Sequence, residues 1–251
     1  MGERERLRRS FEQVAELYDR ARPTYPAELI NEVAALGPRI LEIGPGTGQA
    51  TRALAERGVE VTAVELGPAL AEIARRNAPR AEIVTADFET WEPERADFDA
   101  VVAFTAFHWI EARLKYEKSA RLLRPGGALA VVEVAHVLPE DGDPFWVEVQ
   151  EDYDAVVPSP ENRPPPRPDE VGDLRRELAE SGLFGEIQVR RHRWDVPYRA
   201  DEWVDVLRTY SPNIARDAAT TELLLDRIRT RIGDRTVTKH YLATLTLGRR
   251  L

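Results

Sequence analysis

The sequence predicts an α/β fold, a doubly wound and mostly parallel sheet with helices on both faces, and three observations predict it. From Arg39 onward short β-branched runs alternate with amphipathic stretches at helical spacing, the rhythm of βαβ units. One of those runs, Phe98 to Phe104, is nearly continuous in apolar residues, as a strand covered on both faces requires. A third run, Arg39 to Ile43, passes directly into three alternate glycines and then into a helical pattern.

The elements follow in order. After the first strand, Arg39 to Ile43, a helix to about Arg57 carries Ala50, Leu54 and Ala55 at helical spacing, and Val59 to Val64 is the second strand. Pro68 suits a first helical turn, where its missing N–H is no loss, and the helix it opens ends near Asn77 because Ala78 precedes Pro79. Ala81 to Thr85, Phe98 to Phe104 and Ala128 to Val134 are the next strands, with a helix from Glu111 to Leu123 closed by Arg124-Pro125-Gly126-Gly127. There the rhythm breaks. Residues 136–169 contain Asp141-Gly142-Asp143-Pro144, the aromatics Phe145, Trp146 and Tyr153, and the proline-rich stretch Pro158 to Pro168, which resists helix and central strand and reads as an extended connection. Asp169 to Ser181 reads as a helix with Gly182 past its end, Glu186 to Trp194 as a strand, Asp201 to Ile232 as largely helical and Val237 to Leu247 as a final strand.

At 251 residues the chain is one large domain or one domain with insertions, on a prior of roughly 150 residues per domain. No apolar run approaches the ~18 to 20 residues of a bilayer span, and the charged first twenty residues lack the apolar core of an export signal, so a cytoplasmic protein without a membrane partner is expected. The absence of cysteine excludes disulfides, thiolate metal sites and cysteine nucleophiles. The four histidines show no metal-site spacing, and no metal is expected. A net charge of -9 opposes an electrostatic grip on nucleic acid, and the short basic stretches at Arg4 to Arg9 and Arg190 to Arg193 read as solvated faces.

The most informative stretch is Leu41-Glu42-Ile43-Gly44-Pro45-Gly46-Thr47-Gly48. Glycine removes the Cβ that blocks close approach of a ligand, and amides at a helix start offer donors to an oxygen-rich one. The spacing is G-x-G-x-G; Gln49 stands where the dinucleotide fingerprint has its third glycine. Glu65 ends the second strand, where a carboxylate can accept both hydroxyls of a ribose. Asp87-Phe88 follows the third strand, from which an acid can accept an exocyclic amine while a ring packs on the base.

In order and spacing, Glu42-Ile43-Gly44-Pro45-Gly46-Thr47-Gly48, Glu65, Ala86-Asp87-Phe88, Phe98-Asp99-Ala100-Val101-Val102 and Leu122-Leu123-Arg124-Pro125-Gly126-Gly127 resemble the class I S-adenosylmethionine-dependent methyltransferases. The resemblance implies a seven-stranded Rossmann-like sheet with the last strand antiparallel, S-adenosylmethionine as cofactor and S-adenosylhomocysteine as product. It places Gly44, Gly46 and Gly48 beneath the methionine and ribose with Glu42 beside them, Glu65 on the ribose hydroxyls, Leu66 on adenine, Asp87 on its amine and Phe88 next to it. Thr105-Ala106-Phe107-His108-Trp109 stands where the family places the sulfonium end and the substrate, with Thr105 on the cofactor side. Phe11 through Tyr18 and Arg22-Pro23-Thr24-Tyr25-Pro26 resemble the leading segment of a small-molecule branch that folds over the cofactor as a lid, so Tyr18 and Arg22 are candidates for the cofactor and Tyr25 for the substrate. On this view residues 1–37 are the lid of a single domain, 38–135 the cofactor core, and 136–169 and 200–232 insertions that shape the acceptor pocket.

Methyl transfer from a sulfonium is an in-line displacement, so alignment and exclusion of water matter more than covalent help. His108, the one histidine at the carboxyl end of a central strand, is the candidate base for a hydroxyl or amine acceptor, or a residue that shapes the substrate site; a carboxylate acceptor needs no base. Phe107, Trp109, Trp146, Tyr153, Trp203 and Tyr210 are candidates to line an acceptor pocket. Arg22 and Arg163 converging there would suit a carboxylate. The favoured reading is a small-molecule methyltransferase, monomeric or homodimeric. A nicotinamide-dependent oxidoreductase is disfavoured by Gln49 and by the lack of a Tyr-x-x-x-Lys pair, lysine occurring only at Lys115, Lys118 and Lys239. A non-catalytic S-adenosylmethionine-binding module is the third class. Nucleic-acid methylation is disfavoured by the acidic balance and by Thr105-Ala106-Phe107-His108 in place of an Asn-Pro-Pro-Tyr-like signature.

Overall fold

Seven apolar-rich segments become strands in the computed structural model, which describes residues 14–251: β1 (Arg39–Ile43), β2 (Glu60–Glu65), β3 (Glu82–Thr85), β4 (Phe98–Phe104), β5 (Leu123–Val137), β6 (Phe184–Tyr198) and β7 (Val237–Arg250). They hydrogen-bond in the order β3-β2-β1-β4-β5-β7-β6. Pairs β1–β2, β2–β3, β1–β4 and β4–β5 are parallel, and the last strands are antiparallel. Every residue of β4 is buried, which is why its sequence is continuous in apolar side chains and does not alternate. The expected α/β class and mostly parallel seven-stranded sheet are therefore observed. Residues Arg4 to Arg9 and Phe11, on which parts of the sequence reading rest, lie outside the described residues.

The chain divides into two compact units. The first comprises Thr24–Val134, Gly172–His192 and Ala243–Leu251. Its core joins Leu41 and Ile43 of β1, Val101 and Ala103 of β4, and Leu129 and Val131 of β5 with Leu122 and Phe107. Helices Ala27–Ala34, Gln49–Ala55, Pro68–Asn77, Ala112–Leu122 and Arg175–Glu180 belong to it. The strand expected from Ala128 begins at Leu123, because Leu123 pairs with Phe98 before the register jumps to Ala100 against Ala128. Arg124 to Gly127 form that irregularity: Gly126 adopts φ +72°, Arg124 Nε donates to Asp99 Oδ1 at 2.6 Å, and a Cβ on Gly127 would stand 3.1 Å from the Asp99 carbonyl oxygen. The helix expected from Asp169 starts only at Arg175, after Gly172, where the Asp173 carboxylate accepts the Arg175 N–H.

The second unit comprises the chain up to Pro23, Ala135–Val171 and Arg193–Leu242. The segment where the strand–helix rhythm breaks holds two short helices, Phe145–Glu148 and Gln150–Val156, while Pro158 to Pro168 is free of helix and strand as expected. The stretch read as one largely helical region is three helices, Ala200–Arg208, Ser211–Ala215 and Ala218–Ile232. Pro212 opens the second, and the Asp217 side chain caps the third by accepting the Thr220 N–H. Among the described residues no helix is long and apolar enough to cross a membrane.

Candidate functional site

The strand order reverses beside β1: β2 and β3 lie on one side, β4 and β5 on the other. Open α/β sheets bind ligands at such a switch point, beyond the carboxyl ends of the strands. The two segments that leave β1 and β4 there are Gly44 to Gly48 and Thr105 to Trp109. Gly44, Gly46 and Gly48 adopt φ of +64°, +59° and +89°, left-handed backbone that side-chained residues avoid. A Cβ on Gly44 would fall 2.6 Å from Ala106 Cβ. The glycine amides, expected as ligand donors, are engaged within the fold: Gly44 N–H donates to the Val64 carbonyl, Gly46 N–H to Glu65 Oε2 and Gly48 N–H to the Pro45 carbonyl, each at 2.9 Å. The glycines thus supply shape and room.

Glu65, 7% exposed, ties the loop to the next helix, since its Oε1 accepts the Gly67 N–H at 2.9 Å while Oε2 holds Gly46. Leu66 beside it is half-buried. Glu42 lies inside, 1% exposed, with Thr51 Oγ1 donating to it at 2.6 Å. Burial, opposed by that hydrogen bond and reinforced by the Glu65 charge, pushes its pKa up to about 7. Asp87 is half-buried at the turn after β3, where its Oδ1 accepts the Glu89 N–H at 2.9 Å. Phe88 is a core residue with Lys118 Nζ over its ring at 5.3 Å. Thr105 follows β4 at φ +55°, a strained backbone for a β-branched residue, while its N–H still donates to the Val132 carbonyl at 2.8 Å. Phe107 is packed in the core against Tyr116, ring centroids 5.3 Å apart. His108 is exposed and Trp109 half-buried, their rings 4.9 Å apart, and Tyr25 packs 4.8 Å from Phe104. Sequence reasoning passed over Thr47 and Gln49 as site residues, yet Thr47 Oγ1 and Gln49 Nε2 are buried polar atoms without a hydrogen-bond partner.

Residues 40–127 match the sequence profile of the family described as methyltransferase domain. Residues 40–127 thus carry a methyltransferase domain. An uncharacterised methyltransferase of Mycobacterium bovis is 33% identical over 148 residues, 54% of this chain and 61% of that protein. The chain thus spans about three-fifths of the length of the first curated relatives it matches. A trans-aconitate 2-methyltransferase of Methylobacterium radiotolerans is 37% identical over 117 residues, 45% of this chain and 44% of that protein. Among solved structures, a proposed type II methyltransferase of Anaeromyxobacter dehalogenans matches with a TM-score of 0.63 at 24% identity, covering 91% of this chain and 97% of that one, a likeness of fold.

The other candidate residues, Tyr18, Arg22, Trp146 and Tyr210, belong to the second unit. The Arg22 guanidinium lies between the rings of Tyr18 and Tyr210, 4.8 and 4.5 Å from their centroids, and donates from Nε and Nη2 to the Thr209 hydroxyl and carbonyl at 2.8 and 3.0 Å. Lys239, 2% exposed and absent from the sequence reading of the site, donates to the Tyr210 hydroxyl at 2.6 Å and faces the rings of Trp203 and Tyr241 at 4.5 Å. Burial, with the repulsion of Arg22, lowers the Lys239 pKa against the support of Tyr210. Burial opposes ionisation of the Tyr210 phenol, but the charges of Lys239 and Arg22 outweigh it and lower its pKa. Trp146 is buried, its Nε1 donating to the Thr238 carbonyl at 2.7 Å and its ring touching those of His136, Phe145 and Trp203. Arg163 is exposed in the proline-rich stretch, so the cation that joins Arg22 is Lys239.

Proposed function

We propose that the chain transfers a methyl group from S-adenosylmethionine to a small-molecule acceptor, with S-adenosylhomocysteine as the other product. The observation that carries this reading is the glycine loop fastened to Glu65 at the switch point of the sheet, within a methyltransferase domain. The residues present fit such a cofactor: a left-handed loop without Cβ atoms, a carboxylate at the end of β2, and the orphaned Gln49 amide and Thr47 hydroxyl. When bound, S-adenosylmethionine supplies an electrophilic methyl on a sulfonium.

The Glu65 oxygens accept the Gly46 and Gly67 N–H groups, which hold the carboxylate at the end of β2, and it is assigned to the ribose hydroxyls. Leu66 and Asp87 follow at the ends of β2 and β3 as partners of the base. His108, exposed after β4, is assigned to take a proton from a hydroxyl or amine acceptor or to position the substrate. The name of the trans-aconitate relative supports a small acid as acceptor, and the late segments of the chain are assigned to acceptor recognition.

Calorimetric titration tests the donor. S-adenosylmethionine and S-adenosylhomocysteine should bind in the micromolar range and NAD should not; binding of NAD alone would overturn the reading. Glu65→Ala should weaken cofactor binding by roughly 1 to 3 kcal/mol, and His108→Ala should spare it while lowering turnover. Cofactor binding without turnover on any acceptor would make the chain a binding module.

A further inference from the structure

The methyl-transfer reading leaves the cationic cluster of the second unit unused. Lys239 is buried, and among the described residues it meets aromatic rings and one phenol; Arg22 uses Nε and Nη2 on Thr209, and its Nη1 has no hydrogen-bond partner among those residues. Neither cation meets a carboxylate among the described residues, and several acids of this unit are bound elsewhere. Asp152 binds Arg227 and Arg231, Asp195 binds His240, Asp205 binds Arg20, and Glu202 accepts the Arg199 N–H. A buried cation without a counter-charge is costly, and ring faces offset only part of that cost. Beside Lys239, His136 Nε2 is buried without a hydrogen-bond partner. Burial, Lys239 and His240 push the His136 pKa down to about 2, so this imidazole is neutral and adds no third charge.

We propose that this cluster binds the carboxylate of a small aromatic or apolar acid, with Lys239 and Arg22 supplying the positive charge and Trp203, Tyr210 and Tyr241 the apolar walls. One ammonium and one free guanidinium edge suit a monoanion, and three rings leave little to solvate the second charge of a phosphate dianion. Tyr241 presents its ring and not its hydroxyl, which is bound to that of Tyr198 at 2.9 Å. Naming this acid as the methyl acceptor rests on the methyltransferase reading above; the anion site itself does not.

The test is calorimetric titration of the full chain with benzoate, with benzamide as its neutral isostere, with inorganic phosphate, and separately with S-adenosylmethionine. Benzoate should saturate one site, with benzamide and phosphate at least roughly ten-fold weaker, as loss of a charged hydrogen bond predicts. Lys239→Met should weaken benzoate by a similar factor while S-adenosylmethionine binding, which also reports that the variant is folded, is kept. No benzoate binding, equal binding of benzamide, tighter binding of phosphate, or a folded Lys239→Met variant that binds benzoate as the parent does would each overturn the site. Should that variant fail to fold, the contrast between benzoate and benzamide on the parent chain still decides. Benzoate binding as expected in a chain that ignores S-adenosylmethionine would sink the donor reading and leave the anion site standing.

Discussion

Glu42 combines deep burial with a hydrogen bond from Thr51 Oγ1 and a second acid close enough to repel it. Its pKa rises from 4.5 to about 7 on folding, burial being the main cause. The sign of the consequence follows from proton counting. Below the unfolded value both states hold the proton. Between the two values the folded protein holds a proton that the unfolded chain has released, so stability falls as pH rises through this window, and above it the full cost is present. The difference amounts to something on the order of 3 kcal/mol. Glu42→Gln keeps the shape and an acceptor for Thr51 without the charge. Urea unfolding should find the variant and the parent nearly equal at pH 4 and the variant more stable by about 3 kcal/mol at pH 8. A gap that does not widen with pH would mean that Glu42 does not ionise in that window. The reason to retain so costly an acid lies two residues away, at the start of the glycine loop: Thr51 stands in the helix that follows the loop, so the Glu42–Thr51 bond joins β1 to that helix on either side of the three glycines.

Helices of the second unit are short, and their packing depends on a few buried groups. Asp152, 3% exposed, sits on Gln150–Val156 and binds Arg227 and Arg231 of Ala218–Ile232, the Arg227 Nε at 3.1 Å. Asp152→Ala would leave two guanidinium groups without their shared acceptor. Because both arginines are partly exposed, water recovers part of the loss, and the expected cost is about 1 to 2 kcal/mol. Thermal unfolding and faster hydrogen exchange in residues 218–232 would register it; an unchanged melting point would assign the helix pair to its apolar contacts, Leu224, Leu225 and Ile228, alone. These same elements were hard to read from sequence, for physical reasons. A helix such as Phe145–Glu148 is barely one turn and shows no period, whereas the parallel strands announce themselves because burial on both faces makes them continuous in apolar residues. The site divides in the same way. The glycine loop, Glu65 and Asp87 were legible because each stands at a strand end within one local pattern. Lys239 was not, since it reads as one residue of an alternating strand, and Arg22, His136, Trp203 and Tyr210 reach it from distant parts of the chain where no spacing connects them.

At the scale of the whole molecule, the candidate cofactor residues are scattered in sequence and gathered only by the sheet: Gly44 to Gly48 after β1, Glu65 and Leu66 at the end of β2, Asp87 after β3 and Thr105 after β4. A ligand held by four successive strand ends must restrain all four together. Hydrogen exchange with and without saturating S-adenosylhomocysteine should therefore slow in peptides covering residues 42–49, 64–68, 85–89 and 104–109. At a hundred-fold excess over its dissociation constant the ligand adds about 2.7 kcal/mol to the stability of the folded state, so openings that expose these amides become roughly a hundred-fold rarer. The Gly44 and Gly46 amides are the most telling, because they are already bonded to Val64 and Glu65 and their exchange reports the opening of the loop itself. Slowing confined to residues 135–171 and 193–242 would place the ligand in the other unit and remove the glycine loop from its binding. Slowing in one strand end alone would mean that the loop closes on Glu65 for structural reasons and that the sheet does not act as a common platform.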